Sequence, residues 1–389
     1  MYCRQAEEEG AVVLPTDIDK TQAGRNYPVC ISQLLTIMAT TVMESIGRVF
    51  ISLQQIRQFP QLLTDAAPSM PGTVRDTEVP SYFRERYVCT GYRPLNQNWR
   101  YYFLSLFQRH NETLNIWTHL VAFLVLLIKL CQLTETVDFI SDRHSWPLLI
   151  LVLSSLTYSA FSVVAHLLGG KSDLAHYCFY FLDYVGVAQY QYGSAVVHFY
   201  YAVDESVHGL VSGIFMPTAA ILSCLSCLGC CYGKYCNHSL PTWVRKVCQV
   251  VPSALAYSWD ISPVAKRLFF WSSSDPAIIY HFGQVAFFLS CAFFFTCPLL
   301  ERCFPGRCDF VGQSHQIFHV FLSCCTLCQI HASYLDFVGR RKLYSSLHGS
   351  GDAVLFVGLY VVTLIMCVGI AALMLRKVKQ VLDFKLKSK

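Results

Sequence analysis

The sequence predicts an all-α polytopic membrane protein, a helical bundle of seven core spans with an eighth C-terminal span. Of its 389 residues, 54% are hydrophobic and only 14% charged, and the mean hydropathy of +0.40 is too high for a soluble domain. Several stretches reach the roughly 20 mainly apolar residues that cross a hydrocarbon core of about 30 Å. Short connections between them make successive helices antiparallel neighbours.

Taken in order, residues 1–95 form a polar arm with scattered prolines (Pro60, Pro68, Pro71, Pro80), expected in the cytosol. No signal-peptide pattern opens it: the first apolar stretch starts near Ile31 and carries Glu44 and Arg48. Within the arm, Val42, Ile46, Val49, Phe50, Leu53 and Ile56 recur at helical spacing beside Arg48 and Arg57. That pattern fits an amphipathic helix on the membrane surface and equally a helix packed on the bundle. The bundle occupies 96–375, with spans at about 114–132, 146–168, 175–200, 207–232, 247–263, 279–300, 315–337 and 352–375. Pro252, Asp260 and Pro263 interrupt the fifth. A basic tail, 376–389, ends the chain, and no inverted repeat of the transporter kind is present.

Charge sets the expected orientation. The tail holds Arg376, Lys377, Lys379, Lys385, Lys387 and Lys389, which the positive-inside rule places in the cytosol, and eight spans return the N-terminus there. Arg93, Arg100 and Arg109 before the first span agree. The intervening loops divide, with Lys266, Arg267, Arg340, Arg341 and Lys342 falling outside, so the assignment rests on the two ends. Two sequons, at Asn111 and Asn237, then lie on the cytosolic side and should stay unglycosylated. The net charge of +5 is modest and unorganised, which argues against nucleic acid as a partner.

Histidines at membrane depth carry the chemistry. His166 closes the second span, while His315 and His319 open the seventh, so alternation brings all three to one face of the bilayer. Asp183, two turns into the third span, lies at similar depth. Residues i and i+4 share a helical face, so His315 and His319 can hold one ion. By itself that pair also fits two membrane histidines satisfied by hydroxyls, or a proton relay. Convergence with His166 instead predicts a three-histidine zinc site with an open fourth position for water, held by Asp183. Ser162, four residues before His166, orients ligand or substrate, or simply bonds back to a helix carbonyl. Glu112, Asn115 and His119 make a polar stripe opening the first span, as an outer layer of support for the metal or as a helix cap, with capping expected of Glu112.

These residues also carry a resemblance. Glu112-Thr-Leu-Asn115-Ile-Trp-Thr-His119, Ser162-Val-Val-Ala-His166 with Asp183, and His315-Gln-Ile-Phe-His319 together resemble the progestin and adipoQ receptor family. Gly91-Tyr-Arg-Pro94, Trp99-Arg-Tyr-Tyr102, Phe181-Leu-Asp-Tyr-Val-Gly186, Gln249-Val-Val-Pro252 and Asp260-Ile-Ser-Pro263 resemble its membrane progestin receptor branch, in a beta-like form. The resemblance runs from about Met43 to the last span. It implies zinc on His166, His315 and His319, with Asp183 and Ser162 beside the bound water. It further implies a progestin steroid as ligand at the plasma membrane, rapid non-genomic signalling, and an inhibitory G protein that lowers cyclic AMP, as in oocyte maturation. Adiponectin-receptor relatives imply an alternative, a zinc-dependent lipid amidohydrolase acting on ceramide.

The remaining features divide between packing and membrane contact. Rings of spans three and six, such as Tyr190, Tyr192, Phe287 and Phe288, suit a steroid cavity and suit packing against membrane lipids. Nineteen cysteines show no secreted disulfide spacing. Cys224 and Cys227 are expected as small apolar packing, and Cys230, Cys231 or Cys236 as palmitoylation candidates.

Overall fold

In the computed structural model, described for residues 70–236, 240–270, 274–349 and 351–387, eight long helices follow one another. They are α1 (Thr113–Thr134), α2 (Trp146–Leu168), α3 (Asp173–Val197), α4 (Phe215–Tyr235), α5 (Thr242–Phe269), α6 (Ile278–Thr296), α7 (Ser314–Gly339) and α8 (Asp352–Lys387). Each corresponds to one predicted span. Six of them, all but α3 and α5, are apolar and long enough to cross a membrane. Neighbours in sequence pack in space from α1 to α7, α7 packs back on α1, and α8 docks against α3 and α4. A ring of seven helices with an eighth outside it results. The N-terminal stretch containing Val42 to Ile56 lies outside the described residues, as does the sequon at Asn237.

Local chemistry explains the helix ends. Pro147 sits in the first turn of α2, where its missing N–H costs nothing. Ser172 caps α3 by accepting from the Ala175 N–H at 3.3 Å. Gln313 and Gln316 form a reciprocal box at the start of α7, and the Glu301 carboxylate accepts from the Ser314 N–H and hydroxyl at 2.5 and 2.6 Å. The fourth span begins later than expected: Glu205–Val211 is a separate short helix, and Phe215 starts α4 only after Ser212 and Gly213 break the run. The sixth stops early, at Thr296, because Pro298 disfavours helical geometry at Cys297.

Prolines do not break α5. Pro252 removes the donor for the Cys248 carbonyl, and at that point Gly229 of α4 lets the two backbones close: a Cβ there would collide with the Cys248 oxygen. Gly233, one turn on, faces the Arg245 carbonyl in the same way. Pro263 frees the Trp259 carbonyl, and the Ser262 hydroxyl donates to it at 2.8 Å. The fifth predicted span is therefore a continuous helix of 28 residues.

Residues 71–95 are tied down against the bundle. Val74 and Tyr92 form an antiparallel bridge, Val79, Val88 and Tyr92 make a small core, and Asp309 before α7 accepts from the Cys89 and Thr90 amides at 3.0 and 2.8 Å. No β-strand occurs among the described residues.

Candidate metal centre

α2 and α7 deliver three imidazoles to one end of the bundle. His166 lies in the last turn of α2, His315 and His319 in the first turns of α7, and their ligand atoms all lie within 4.8 Å of one another. Among the described residues, this is the group of histidine, cysteine and carboxylate side chains close enough to share one ion. His166 Nε2 faces His315 Nε2 at 3.3 Å. Two nitrogens each about 2.0–2.1 Å from a tetrahedral zinc ion stand about 3.3–3.4 Å apart, so the spacing fits the ion.

The opposite ring nitrogens fix the tautomers. His166 Nδ1 donates to Glu112 Oε2 at 2.7 Å, which leaves the Nε2 lone pair pointing inward. His319 Nδ1 is 3.2 Å from the Asn115 carbonyl oxygen and 3.0 Å from the Thr118 hydroxyl, leaving its Nε2 free in turn. Carboxylate and carbonyl partners of this kind orient metal-binding imidazoles and raise their basicity. Burial alone raises the pKa of the Glu112 carboxyl, but His166, the Asn115 amide at 2.7 Å and Arg93 outweigh it and hold the group well below the usual carboxylate range.

Glu112 departs from expectation here. It occupies the cap position of α1, yet its side chain makes no cap bond; its Oε2 accepts from both His166 and Asn115 instead. His119 stacks on His319 with ring centroids 3.6 Å apart, and neither of its nitrogens has a hydrogen-bond partner among the described residues. Asp183 lies on the wall of a cavity of about 320 Å³ that also exposes His166, His315, Glu112 and Asn115. Ser162 and His319 are buried behind that wall and do not line it.

Supporting residues emerge that spacing could not reveal. Arg93 is buried and donates to the last carbonyls of α2, those of His166 and Leu167, at 2.6 Å each, and to Ser105 Oγ at 2.8 Å. It closes the helix end that carries His166. The signal available was an arginine two residues after a glycine, and Gly91 has φ +88°, a turn that aims the next residues inward.

At the far end of the bundle, about 25 Å along α7 from His319, a second polar core is assembled. Arg267 clasps Asp336 at 2.7 and 2.9 Å and Asp275 at 2.6 Å, and His281 Nε2 donates to Asp336 at 2.8 Å. His198 Nδ1 and the Ser194 hydroxyl donate to Asp260 at 2.7 and 2.6 Å, and a π-helical turn at His198–Ala202 shapes that corner. Asp260 and Asp336 inside apolar segments were the sequence's signal that partners had to exist.

The thiols Cys227 and Cys231 pack with Cys367 of α8 in a buried cluster, and no disulfide occurs among the described residues.

Comparison with known proteins gives a consistent result. Residues 107–330 match the family model described as haemolysin-III related. The chain is 58% identical over 317 residues to membrane progestin receptor alpha-B of Danio rerio, covering 80% of this chain and 90% of that protein. It is 57% identical over 315 residues to membrane progestin receptor alpha of Cynoscion nebulosus, with the same coverage of 80% and 90%. To membrane progestin receptor beta of Sus scrofa it is 48% identical over 344 residues, 87% of this chain and 97% of that one. Both the three histidines and Glu112 lie inside the matched family region.

Proposed function

The chain belongs to the haemolysin-III-related family and, within it, to the membrane progestin receptors, and from that premise we propose that it binds a progestin steroid at the plasma membrane and signals through an inhibitory G protein, lowering cyclic AMP. The 58% identity to the Danio rerio alpha-B receptor across 80% of this chain carries the proposal. Both termini lie in the cytosol, and the metal end of the bundle faces the same side. Saturable binding of tritiated progesterone to purified protein in nanodiscs tests the receptor reading, and its absence overturns it. A pertussis-toxin-sensitive fall in cyclic AMP on adding progestin tests the coupling.

A zinc ion on His166, His315 and His319 is part of the same proposal. When bound it supplies a Lewis acid that can polarise a carbonyl, as well as a cross-link between α2 and α7. The chain's own contribution is orientation: Glu112 holds His166, the Asn115 carbonyl holds His319, and Arg93 holds the end of α2 in place.

One observation favours a second activity. Asp183, His166 and His315 share a cavity large enough for an amide head group, which fits a zinc-dependent lipid amidohydrolase with Asp183 taking up a proton. Ceramide turnover by the purified protein, abolished in His319→Ala, is the expected result. If the unaltered protein shows no turnover, the hydrolase fails and the receptor stands. If His319→Ala keeps full progesterone affinity without zinc, the metal and steroid sites are separate.

A further inference from the structure

The cavity beside the three histidines is basic for a reason that neither steroid nor zinc supplies. Five cationic side chains line it: Arg84 and Arg86 from the ordered N-terminal segment, Lys234 from the end of α4, and Arg245 and Lys246 from the start of α5. Among the described residues none of the five pairs with a carboxylate within 4.0 Å. Of the four acids on the same wall, Glu112 is engaged with His166 and Asn115, and Glu301 with Ser314, which leaves Glu85 and Asp183.

The cations are positioned without being neutralised, Arg86 over the Tyr87 ring at 4.8 Å among them. Lys234 Nζ sits 4.0 Å from the centroid of the Tyr180 ring, and Lys246 Nζ is 4.2 Å from that of Phe295 while donating to the Phe295 carbonyl at 3.0 Å. Arg84 Nε donates to the Val79 carbonyl at 3.0 Å. Arg245 Nε is buried with no hydrogen-bond partner, an N–H that burial leaves costly unless an acceptor arrives. Aromatic and carbonyl contacts hold the ammonium and guanidinium groups while keeping their charge available.

We propose that this cavity binds the phosphate group of an anionic membrane amphiphile, seated between Lys234, Arg245 and Lys246. A phosphate monoester carries about −1.5 to −2 charges and three strong acceptor oxygens, which suits an arginine fork flanked by two lysine point charges. Phe294, Phe295 and Tyr184 line the same space and offer apolar walls to the chain beneath the head group. The position is at the end of the bundle, where α4 ends and α5 begins, as a site for a lipid head group requires. Membrane phosphate is favoured over soluble phosphate by those walls.

The probe is dioleoyl phosphatidic acid, doped into phosphatidylcholine nanodiscs that hold the full-length protein, with retained lipid quantified after delipidating washes. Phosphatidic acid should be enriched over bulk, and Lys234→Gln with Lys246→Gln should cut that enrichment on the order of tenfold. The charge-keeping pair Lys234→Arg with Lys246→Arg should preserve it. Lys377→Gln with Lys379→Gln, on α8 and not among the residues that line the cavity, should leave it unchanged. If the double glutamine variant does not fold, Arg245→Gln reads the same effect. In a second arm, inorganic phosphate is titrated against the protein in phosphatidylcholine alone. Saturation that is sensitive to Lys234→Gln with Lys246→Gln, without lipid enrichment, supports the phosphate site and assigns it to a soluble source. Equal retention by the unaltered protein and both glutamine forms, or equal loss in the α8 control, overturns the proposal. Progesterone binding measured in parallel stands or falls independently.

Discussion

A carboxylate 2.7 Å from His166 Nδ1 decides how the three-histidine cluster works, because it sets which nitrogen of that ring faces the other two. Replacing Glu112 with Gln keeps the size but removes the charge, and zinc affinity is expected to fall by about 10–100-fold in a chelator competition. Unchanged affinity would make Glu112 a bystander. His315 and His319 were legible in the sequence, since i and i+4 on a helix share a face whatever the tertiary fold. The Glu112–His166 contact was not, because it joins residues 54 apart across α1 and α2. Its absence from local spacing is why capping was expected of Glu112. Arg93 was hidden for the same reason: its partners are backbone carbonyls of a helix more than 70 residues on, and carbonyls leave no mark in a sequence.

Helix pairs impose their own demands. α4 and α5 meet where Gly229 faces the Cys248 carbonyl freed by Pro252, so a side chain at Gly229 has to push the helices apart. Gly229→Leu should lower the melting temperature of the purified protein and reduce its folded yield, whereas Gly358→Leu on α8, where a Cβ meets nothing within 4 Å, should be neutral. On the far side of the bundle, Asp336 joins α7 to Arg267 and His281. Removing one member of such a buried set strands the others, so Asp336→Ala should destabilise by about 3–5 kcal/mol, moderated by the Asp275 contact that Arg267 retains. Chemical unfolding in detergent measures both. Span positions were readable from hydropathy to within a few residues except at the start of α4, where Ser212 and Gly213 split off a short helix. Length errors arose where prolines acted unlike the simple rule: Pro252 and Pro263 stay inside α5, while Pro298 ends α6.

Orientation and ligand access belong to the molecule as a whole. The loop charges that complicated the positive-inside count have structural employment at the end far from the metal site. Lys266 pairs with Asp204 at 2.9 Å, Arg341 with Asp142 at 2.7 Å, Arg267 with Asp275 and Asp336, and Arg340 donates to the Ala202 and Val203 carbonyls. Five cations near the opposite end line the cavity above the histidines instead. α8 runs 36 residues, about 54 Å, so it crosses a core of about 30 Å and carries the basic tail onward as helix. If both termini are cytosolic, as proposed above, Asn111 remains unglycosylated in cells. Its burial, and the bond its carbonyl accepts from Gln313, argue the same way. Glycan at Asn111, detected as an endoglycosidase-sensitive shift, would reverse the topology. The eight helices were legible as candidate spans, six of them apolar enough to cross a membrane; the cavity was not, since it forms from a segment at 82–88 meeting helices far along the chain.

Elemental analysis of the purified full-length protein most directly tests the central claim, that His166, His315 and His319 hold one metal ion at the heart of a membrane progestin receptor. The expected result is one zinc per chain in the unaltered protein, falling to background in His166→Ala, His315→Ala and His319→Ala while a folded helical spectrum is kept. Unaltered, progesterone-binding protein that carries no zinc, or full zinc occupancy in the His319→Ala variant, would contradict it.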